Sequence, residues 1–327
     1  MRLLVTGGAG FIGSHFVRTL LADGYPAYAG ANVTVLDKLT YAGTLTNLTE
    51  AERNPRYRFV HGDILDGDLL RELVPGHDAV VNFAAESHVD RSIVGAADFM
   101  TTNAVGVQTL LDACRHAKVE RVLQVSTDEV YGSIAEGAFR ETDLLEPSSP
   151  YSASKAAGDL IARAYVTTHG MDVVVTRCTN NYGPHQFPEK IIPLFVTNLI
   201  DGLRVPLYGD GGNVRDWLHV DDHCRAVTAV LDRGRTGEIY NIGGGTALDN
   251  RELTERLLAA CGRDWSSVEM VEDRKGHDRR YAIDDSKIRD ELGYCPQVGF
   301  DDGLAATIAW YHANEDWWRP LKSRDAR

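Results

Sequence analysis

The chain has 327 residues, of which 43% are hydrophobic and 25% charged. That is the composition of a soluble globular protein, not of a disordered, collagenous or coiled-coil one. At roughly 150 residues per domain the length predicts about two domain-sized units, large enough to bury a core without disulfide staples. With 34 Lys and Arg against 47 Asp and Glu, the formal charge is −13. Such a surface repels phosphate backbones and excludes nucleic acid as an expected partner, so any phosphate must be met by a local site.

In chain order, residues 3–6 read as a first strand and 11–22 as a helix, followed by strands at 33–37, 57–61 and 79–83. One long helix is expected at 96–117, then a strand at 121–125, a helix at 151–169 and a strand at 172–177. Strands alternating with amphipathic helices predict βαβ units and a parallel sheet. Their continuous apolar runs predict a sheet covered on both faces. After about residue 178 the segments shorten and Gly, Pro, Asn and Asp become frequent, as in Tyr208-Gly209-Asp210-Gly211-Gly212-Asn213. A helix at 220–231 suggests that a segment near 214–240 returns to the first domain. Trp310, Trp317 and Trp318 read as packing anchors.

The five cysteines are odd in number, scattered and never spaced as CxxC, which fits a reducing compartment and neither a disulfide framework nor a zinc site. His219-Val220-Asp221-Asp222-His223 has metal-ligand spacing but no further ligand run, and reads as structural, so no metal is expected. Nothing at the N-terminus resembles a secretory leader, and no apolar run approaches the ~20 residues needed to cross a bilayer. The expectation is a cytoplasmic protein with no membrane partner.

Gly7-Gly8-Ala9-Gly10-Phe11-Ile12-Gly13 lies directly after a predicted strand and before a predicted helix. Glycines there let the backbone turn tightly and approach a pyrophosphate, which the helix N-terminus behind them meets with free N–H groups. Asp37 ends the next strand, where a carboxylate accepts hydrogen bonds from an adenosine ribose and repels a 2′-phosphate. The cofactor expected is therefore NAD. Asp63 and Ile64, after the third strand, are placed to reach the adenine, although Asp63 is equally a helix-capping residue. The fold class is α/β: an NAD-binding, Rossmann-type, doubly wound parallel sheet with a smaller C-terminal α/β substrate-binding domain. The expected division is 1–178 and 179–327.

Tyr151-Ser152-Ala153-Ser154-Lys155 puts Tyr and Lys on one face of a helix. A Tyr pKa near 10 must fall by roughly 3 units to give a base at neutral pH, and the expectation is that the Lys155 ammonium and the nicotinamide cation lower it. The strand before it ends in Ser126-Thr127, whose hydroxyls can bond the phenol or a sugar hydroxyl, and Asp128-Glu129 follow directly. Two adjacent carboxylic side chains at the carboxyl end of a parallel strand sit where open α/β sheets bind substrates, and one protonated with one ionised makes an acid and a base.

These residues resemble the extended short-chain dehydrogenase/reductase family and, within it, the dTDP-glucose 4,6-dehydratases. The resemblance runs nearly end to end. It is carried by the glycine loop, by Leu36-Asp37-Lys38-Leu39-Thr40-Tyr41-Ala42-Gly43, and by Ala84-Ala85-Glu86-Ser87-His88-Val89-Asp90-Arg91-Ser92. It continues through Thr127-Asp128-Glu129-Val130-Tyr131-Gly132, the Tyr151–Lys155 helix, Asn180-Asn181-Tyr182-Gly183-Pro184 and Asp273-Arg274-Lys275-Gly276-His277-Asp278. Thr-Asp-Glu before Val-Tyr-Gly is the specific part, because 4-epimerases of the family usually carry small residues at the acidic positions. Lys275 departs from the Pro of many relatives.

The resemblance implies a lyase that turns dTDP-glucose into dTDP-4-keto-6-deoxyglucose and water, using a tightly bound NAD. It implies that Tyr151 accepts the C4 hydroxyl proton with Lys155 beside it, that Glu129 removes the C5 proton, and that Asp128 protonates the departing C6 hydroxyl. Thr127 completes the catalytic group. Cofactor contacts would come from Gly7, Gly10, Phe11, Ile12, Gly13, Asp37, Lys38, Leu39, Thr40, Asp63, Ile64, Phe83, Ala84, Ala85, Ser87, Thr102 and Asn181, together with Tyr151 and Lys155. Substrate contacts would come from Ser87, Thr127, Asn180, Lys190, Ile191, Pro206, Tyr208, Arg215, Asn250, Arg274 and His277. Arg215, Arg274 and Lys190 are the cations suited to a diphosphate on an acidic protein, and Tyr208 offers a ring to a base. A homodimer is implied as well, through the helices at 96–117 and 151–169, with Val105, Ala113, Ala156, Ala157 and Ile161 on its face. The alternatives are a related nucleotide-sugar 4-epimerase or decarboxylase, and a non-catalytic NAD-sensing regulator.

Overall fold

The computed structural model describes residues 1–325. The first half is built as β1 (Arg2–Thr6), α1 (Phe11–Leu21), β2 (Asn32–Asp37), β3 (Tyr57–His61), α2 (Gly67–Leu73) and β4 (Ala79–Asn82). It continues through α3 (Val89–Val94), α4 (Ala96–Met100), α5 (Val107–Ala117), β5 (Arg121–Thr127), α6 (Pro150–His169) and β6 (Val173–Cys178). Then come β7 (Asn180–Tyr182), α7 (Ile191–Ile200), β8 (Val205–Tyr208), β9 (Val214–His219), α8 (Val220–Arg233), β10 (Ile239–Ile242) and β11 (Ala247–Asp249). The chain closes with α9 (Asn250–Ala260), β12 (Val268–Val271), α10 (Ser286–Leu292), α11 (Phe300–Ala313) and α12 (Glu315–Asp325).

Seven of these strands form one parallel sheet in the order β10-β6-β5-β4-β1-β2-β3. The apolar runs explain its depth: Leu3, Leu4 and Val5 of β1 have no exposed surface. Leu3 and Val5 face a layer that includes Phe16, Val17 and Val227 from α1 and α8. Leu4 faces the opposite layer with Leu70, Leu110 and Ala162 from α2, α5 and α6. This is the doubly wound sheet expected. The strand order reverses beside β1, so the loops after β1 and β4 diverge and open a crevice at the carboxyl ends of the strands. Beneath it a buried polar row fixes the strand registers: Thr6 donates to Asn82, whose Nδ2 donates to Gln124 Oε1 at 2.6 Å.

A separate core, including Phe195, Trp217, Leu253, Leu257, Tyr311 and Trp318, serves the second half of the chain. Around it lie a three-stranded sheet, β11-β9-β7, and a parallel pair, β12-β8. The returning segment differs slightly from the one expected. β9 stays in the small sheet, while α8 packs on α1 and β10 adds to the edge of the main sheet beside β6.

The expected single helix at 96–117 is interrupted. Between α4 and α5 the chain is π-helical over Thr101–Gly106. There Asn103 accepts from Glu86 N and donates to Glu86 O, both at 2.9 Å, and also donates to Ser154 Oγ at 2.8 Å. A π-bulge that carries such tertiary bonds is a common device at functional sites and leaves no mark in the apolar periodicity. Helix α6 starts as its sequence dictates, with Pro150 in its first turn and a Ser149–Ser152 capping box.

Across α6 and β6, Arg177 Nε donates to Asp159 Oδ2 at 2.8 Å with both side chains fully buried. Arg177 also donates to Tyr131 OH, which donates in turn to Asn241 on β10. Asp159→Ala leaves a buried, uncompensated guanidinium, and should cost about 3–5 kcal/mol in urea unfolding. A loss under about 1 kcal/mol would mean that the pair is not needed by the sheet.

Candidate active site

The crevice is a cavity of about 600 Å³ that spans both halves of the chain. Every site residue named from the sequence lines it except Leu39. Leu39 adopts a left-handed backbone, φ +53°, and its side chain packs on the core layer of α1 and α8. Its N–H donates to Asp37 Oδ1 at 2.8 Å. It shapes the wall without forming it.

The cofactor half is set by steric limits. Gly7 has φ +67°, and a Cβ there would lie 2.5 Å from the backbone nitrogen of Ala84. A Cβ on Gly13 would strike the Gly7 carbonyl. Phe11 and Ile12 begin α1 at the cavity wall, so their unpaired N–H groups and the positive helix end face an anion. Asp37 accepts from Ala9 N at 2.9 Å as well as from Leu39, and burial raises its pKa. Lys38 Nζ lies 3.5 Å from Asp63 Oδ2 and 3.7 Å from Glu86 Oε1, and donates to Thr102 Oγ1 at 3.3 Å. Ser126 Oγ, Asn180 Oδ1 and Asn181 Oδ1 are buried at the cavity wall with no protein partner. Orphaned polar atoms around a glycine-lined cradle fit a polar dinucleotide. When bound, NAD supplies hydride acceptance and donation.

The catalytic half grows from the end of β5. Thr127 caps the turn that follows by accepting from Glu129 N at 3.3 Å, which throws Asp128 and Glu129 to different surroundings. Asp128 is 3% exposed, and Oδ2 has no partner. Burial, reinforced by the adjacent Glu129, raises its pKa well above the usual carboxylate value. Tyr281 OH lies 3.4 Å from Glu129 Oε2 and 2.8 Å from Asp278 Oδ2. Tyr151 and Lys155 are both buried, and Lys155 Nζ donates to Val125 O at 2.7 Å. In the chain without its cofactor, these surroundings raise the Tyr151 pKa: burial dominates, with Glu129 next. Burial likewise lowers the pKa of Lys155. The chain alone keeps the phenol protonated.

At the far end, Arg215 donates to the carbonyls of Val214 and Asp278 at 2.8 and 2.9 Å and stacks 4.1 Å over the Tyr281 ring. Lys190 Nζ donates to Ser87 O at 2.7 Å. Arg274 is 3.8 Å from Asp90, and His277 bonds Asp273 at 2.6 Å while meeting Tyr208 edge-on. These groups converge from β9, the start of α7 and the 273–278 loop. Sequence reasoning missed Glu86, Glu189 and Tyr281. Glu189 adjoins Lys190 and accepts from Tyr41 at 3.1 Å; its neighbour was the available signal. For Tyr281, reached across the fold, there was none.

A doubly wound sheet with a glycine cradle, an acidic residue after β2 and a Tyr–Lys pair on α6 defines a nucleotide-dependent enzyme of the short-chain dehydrogenase/reductase class. Residues 4–307 match the family described as GDP-mannose 4,6 dehydratase. The chain is 59% identical over 325 residues to a dTDP-glucose 4,6-dehydratase of Streptomyces niveus, covering 99% of this chain and 97% of that protein. It is 60% identical over 319 residues to a dTDP-glucose 4,6-dehydratase of Actinoplanes sp., covering 97% and 100%. The crystal structure of DesIV, a dTDP-glucose 4,6-dehydratase from Streptomyces venezuelae with NAD and TYD bound, matches with a TM-score of 0.97 and 63% identity over 98% of this chain and 100% of that one. The chain belongs to the sugar-nucleotide 4,6-dehydratase family of extended short-chain dehydrogenase/reductases.

The raised pKa of Asp128 has a measurable sign. The folded chain holds this proton more tightly than the unfolded chain, whose Asp pKa is about 3.9. The stability it confers is complete below that pH and is lost as pH rises through the folded pKa. Asp128→Asn should therefore be more stable than the wild type at pH 8, with the gap closing toward pH 4. A gap that does not change with pH in urea titrations contradicts this.

Proposed function

We infer that the chain is an NAD-dependent lyase that converts dTDP-glucose to dTDP-4-keto-6-deoxyglucose and water, in deoxysugar biosynthesis. The observation that carries the reading is Asp128: a buried carboxyl with Oδ2 unpartnered, whose pKa burial raises, beside Glu129, in the same cavity as Tyr151 and Lys155. A 4-epimerase needs no acid–base pair for elimination, and a regulator needs none of the four residues.

The roles of the residues follow from their chemistry. Tyr151 takes the proton of the C4 hydroxyl as C4 loses its hydride, and Lys155 holds the phenol and the nicotinamide ribose. The new C4 ketone acidifies the C5 hydrogen, which Glu129 removes. Asp128 gives its proton to the C6 hydroxyl, and water leaves. The hydride then adds to C6 while Glu129 returns its proton to C5, and the proton taken by Tyr151 replaces, through solvent, the one Asp128 gave, so the net change is loss of one water with no overall oxidation. Arg215, Arg274 and Lys190 hold the diphosphate, and Tyr208 meets the base. Asp37 binds the adenosine ribose. A cofactor regenerated in each turnover has no reason to leave, so NAD stays bound through purification.

Two separate cores support two units, but the first core also takes in Leu218–Ile242 and Ile288–Tyr294, so the division at about 178 holds only with those segments returned to the first unit. A homodimer is supported by an apolar face: Val94 is 91% exposed, Leu160 54%, Val105 49% and Met100 42%, on elements that pack together. Of the residues expected there, Ala113 and Ala156 are instead buried within the chain, because their faces of α5 and α6 turn inward. No helix among the described residues is long and apolar enough to cross a membrane. We place the protein in the cytoplasm, which its free cysteines suit.

Three kinds of measurement check the reading: NAD retention, turnover with cofactor reduction in two variants, and solution mass. Asp37→Ala should weaken NAD binding by about 1–3 kcal/mol, read as NAD lost on gel filtration. Asp128→Asn should lower kcat by about 10²- to 10⁴-fold yet still reduce its NAD when given dTDP-glucose, with the reduced cofactor accumulating at 340 nm as a consequence of the blocked elimination. Tyr151→Phe should show neither reduction nor dehydration. Normal turnover by Asp128→Asn, or rapid reduction by Tyr151→Phe, would sink the assignments. The third is the solution mass at micromolar protein, where a monomer would rule out the dimer.

A further inference from the structure

The glycine loop is gripped by a residue that does not line the cavity. Asn47 sits in a short 3-10 turn, Leu45–Leu48, and is 2% exposed. Its Nδ2 donates to the Ala9 carbonyl at 2.9 Å, and its Oδ1 accepts from Trp317 Nε1 at 3.0 Å. Its own backbone carbonyl accepts from Arg18 Nη1 at 2.6 Å, and Arg18 also reaches Ser14 Oγ on α1 at 3.1 Å. One residue thus joins the loop before α1 and the C-terminal helix α12 through its side chain, and the body of α1 through its backbone carbonyl.

Ala9 is the residue between the glycines that form the cradle. Its N–H donates to Asp37 and its carbonyl accepts from Asn47 and from Thr44 N at 3.1 Å. Both ends of Ala9 are therefore held, one by the carboxylate on the ribose side and the other by Asn47. The peptide that follows leads into Gly10, Phe11 and Ile12, whose backbone must face the pyrophosphate. An Asn amide can turn either end toward a carbonyl, but only its nitrogen end bonds there. An indole N–H is a donor only, so it can bond only the oxygen end of Asn47. Trp317 thereby fixes which end of the amide points at Ala9.

The indole is itself anchored. It lies edge-on to Trp310 at 5.0 Å and to His185 at 5.4 Å, just before the segment 186–190 that lines the cavity. We propose that Asn47 and Trp317 are positioning residues for the cofactor site: the C-terminal helix holds the glycine loop in its NAD-binding shape through an indole–amide–carbonyl relay. The proposal rests on the NAD-dependent reading above. Neither residue lines the cavity, so the relay acts through Ala9.

The test uses the full-length holoenzyme as purified, with Trp317→Phe, Asn47→Ala and the double variant. Trp317→Phe keeps an aromatic ring beside Trp310 and His185 and removes only the bonding N–H. NAD content and the rate of NAD release are read chromatographically after dilution and filtration. Release from Trp317→Phe should be about 3- to 10-fold faster, the effect of one ordinary hydrogen bond. After NAD is stripped, the change should fall on the NAD concentration that restores half of the activity, not on kcat at saturating NAD or KM for the sugar nucleotide. The double variant should release NAD no faster than Asn47→Ala, because both act through one bond. A purely packing role predicts otherwise: an equal fall of the melting temperature with and without added NAD, unchanged release in Trp317→Phe, and additive single effects. Any of these overturns the relay. Wild-type protein that neither retains nor binds NAD would instead remove the cofactor reading, a result read from the wild type alone.

Discussion

At the carboxyl ends of β1 and β4 two backbones approach so closely that nothing larger than a hydrogen fits between them. A side chain on Gly7 would collide with the backbone of Phe83 and Ala84. Everything at the site depends on this contact. It lets the loop after β1 turn into α1 at the point where the strand order reverses, and so makes the crevice in which cofactor and sugar can meet. The buried Thr6–Asn82–Gln124 row directly below holds the three strands in the register that aligns their ends.

Burial is the second determinant of the chemistry. Asp128, Tyr151 and Lys155 all lie where water is excluded, and in each case desolvation is the largest influence on the proton. It favours the neutral form of every one. For Asp128 that is the state an acid needs. For Tyr151 it is the opposite of what a base needs, and Glu129 adds to the difficulty. Without the cofactor, burial thus favours the protonated form of both Asp128 and Tyr151. The positive nicotinamide ring of a bound NAD belongs to the electrostatics of such a site as much as to its hydride chemistry.

The second half of the chain contributes more than one wall of the cavity. Its strand β10 completes the main sheet, its helix α8 covers α1, and its last helix reaches Asn47 beside the glycine loop. The two cores are separate, yet the cofactor cradle is braced from both.

The local chemistry was legible in the sequence because it is written in short, contiguous patterns. The glycine loop, Asp37 at a strand end, Asp128-Glu129 after a strand and the Tyr151–Lys155 spacing each depend on neighbours within one or two turns. The helix start at Pro150 and the apolar strands are local in the same sense. What failed was non-local. The π-turn at Thr101–Gly106 follows from bonds between Asn103 and the backbone of Glu86. Leu39 turns away because its left-handed backbone aims its side chain at the core. Tyr281 reaches Glu129 from 152 positions away, and Trp317 reaches Asn47 from 270. By itself the sequence determined the sheet, the glycine cradle and the spacing of the candidate acid and base side chains, because steric and periodic constraints act along the chain. Only the tertiary structure decided which protons those groups hold and what braces them, because desolvation and long-range hydrogen bonds exist only once distant segments are packed together.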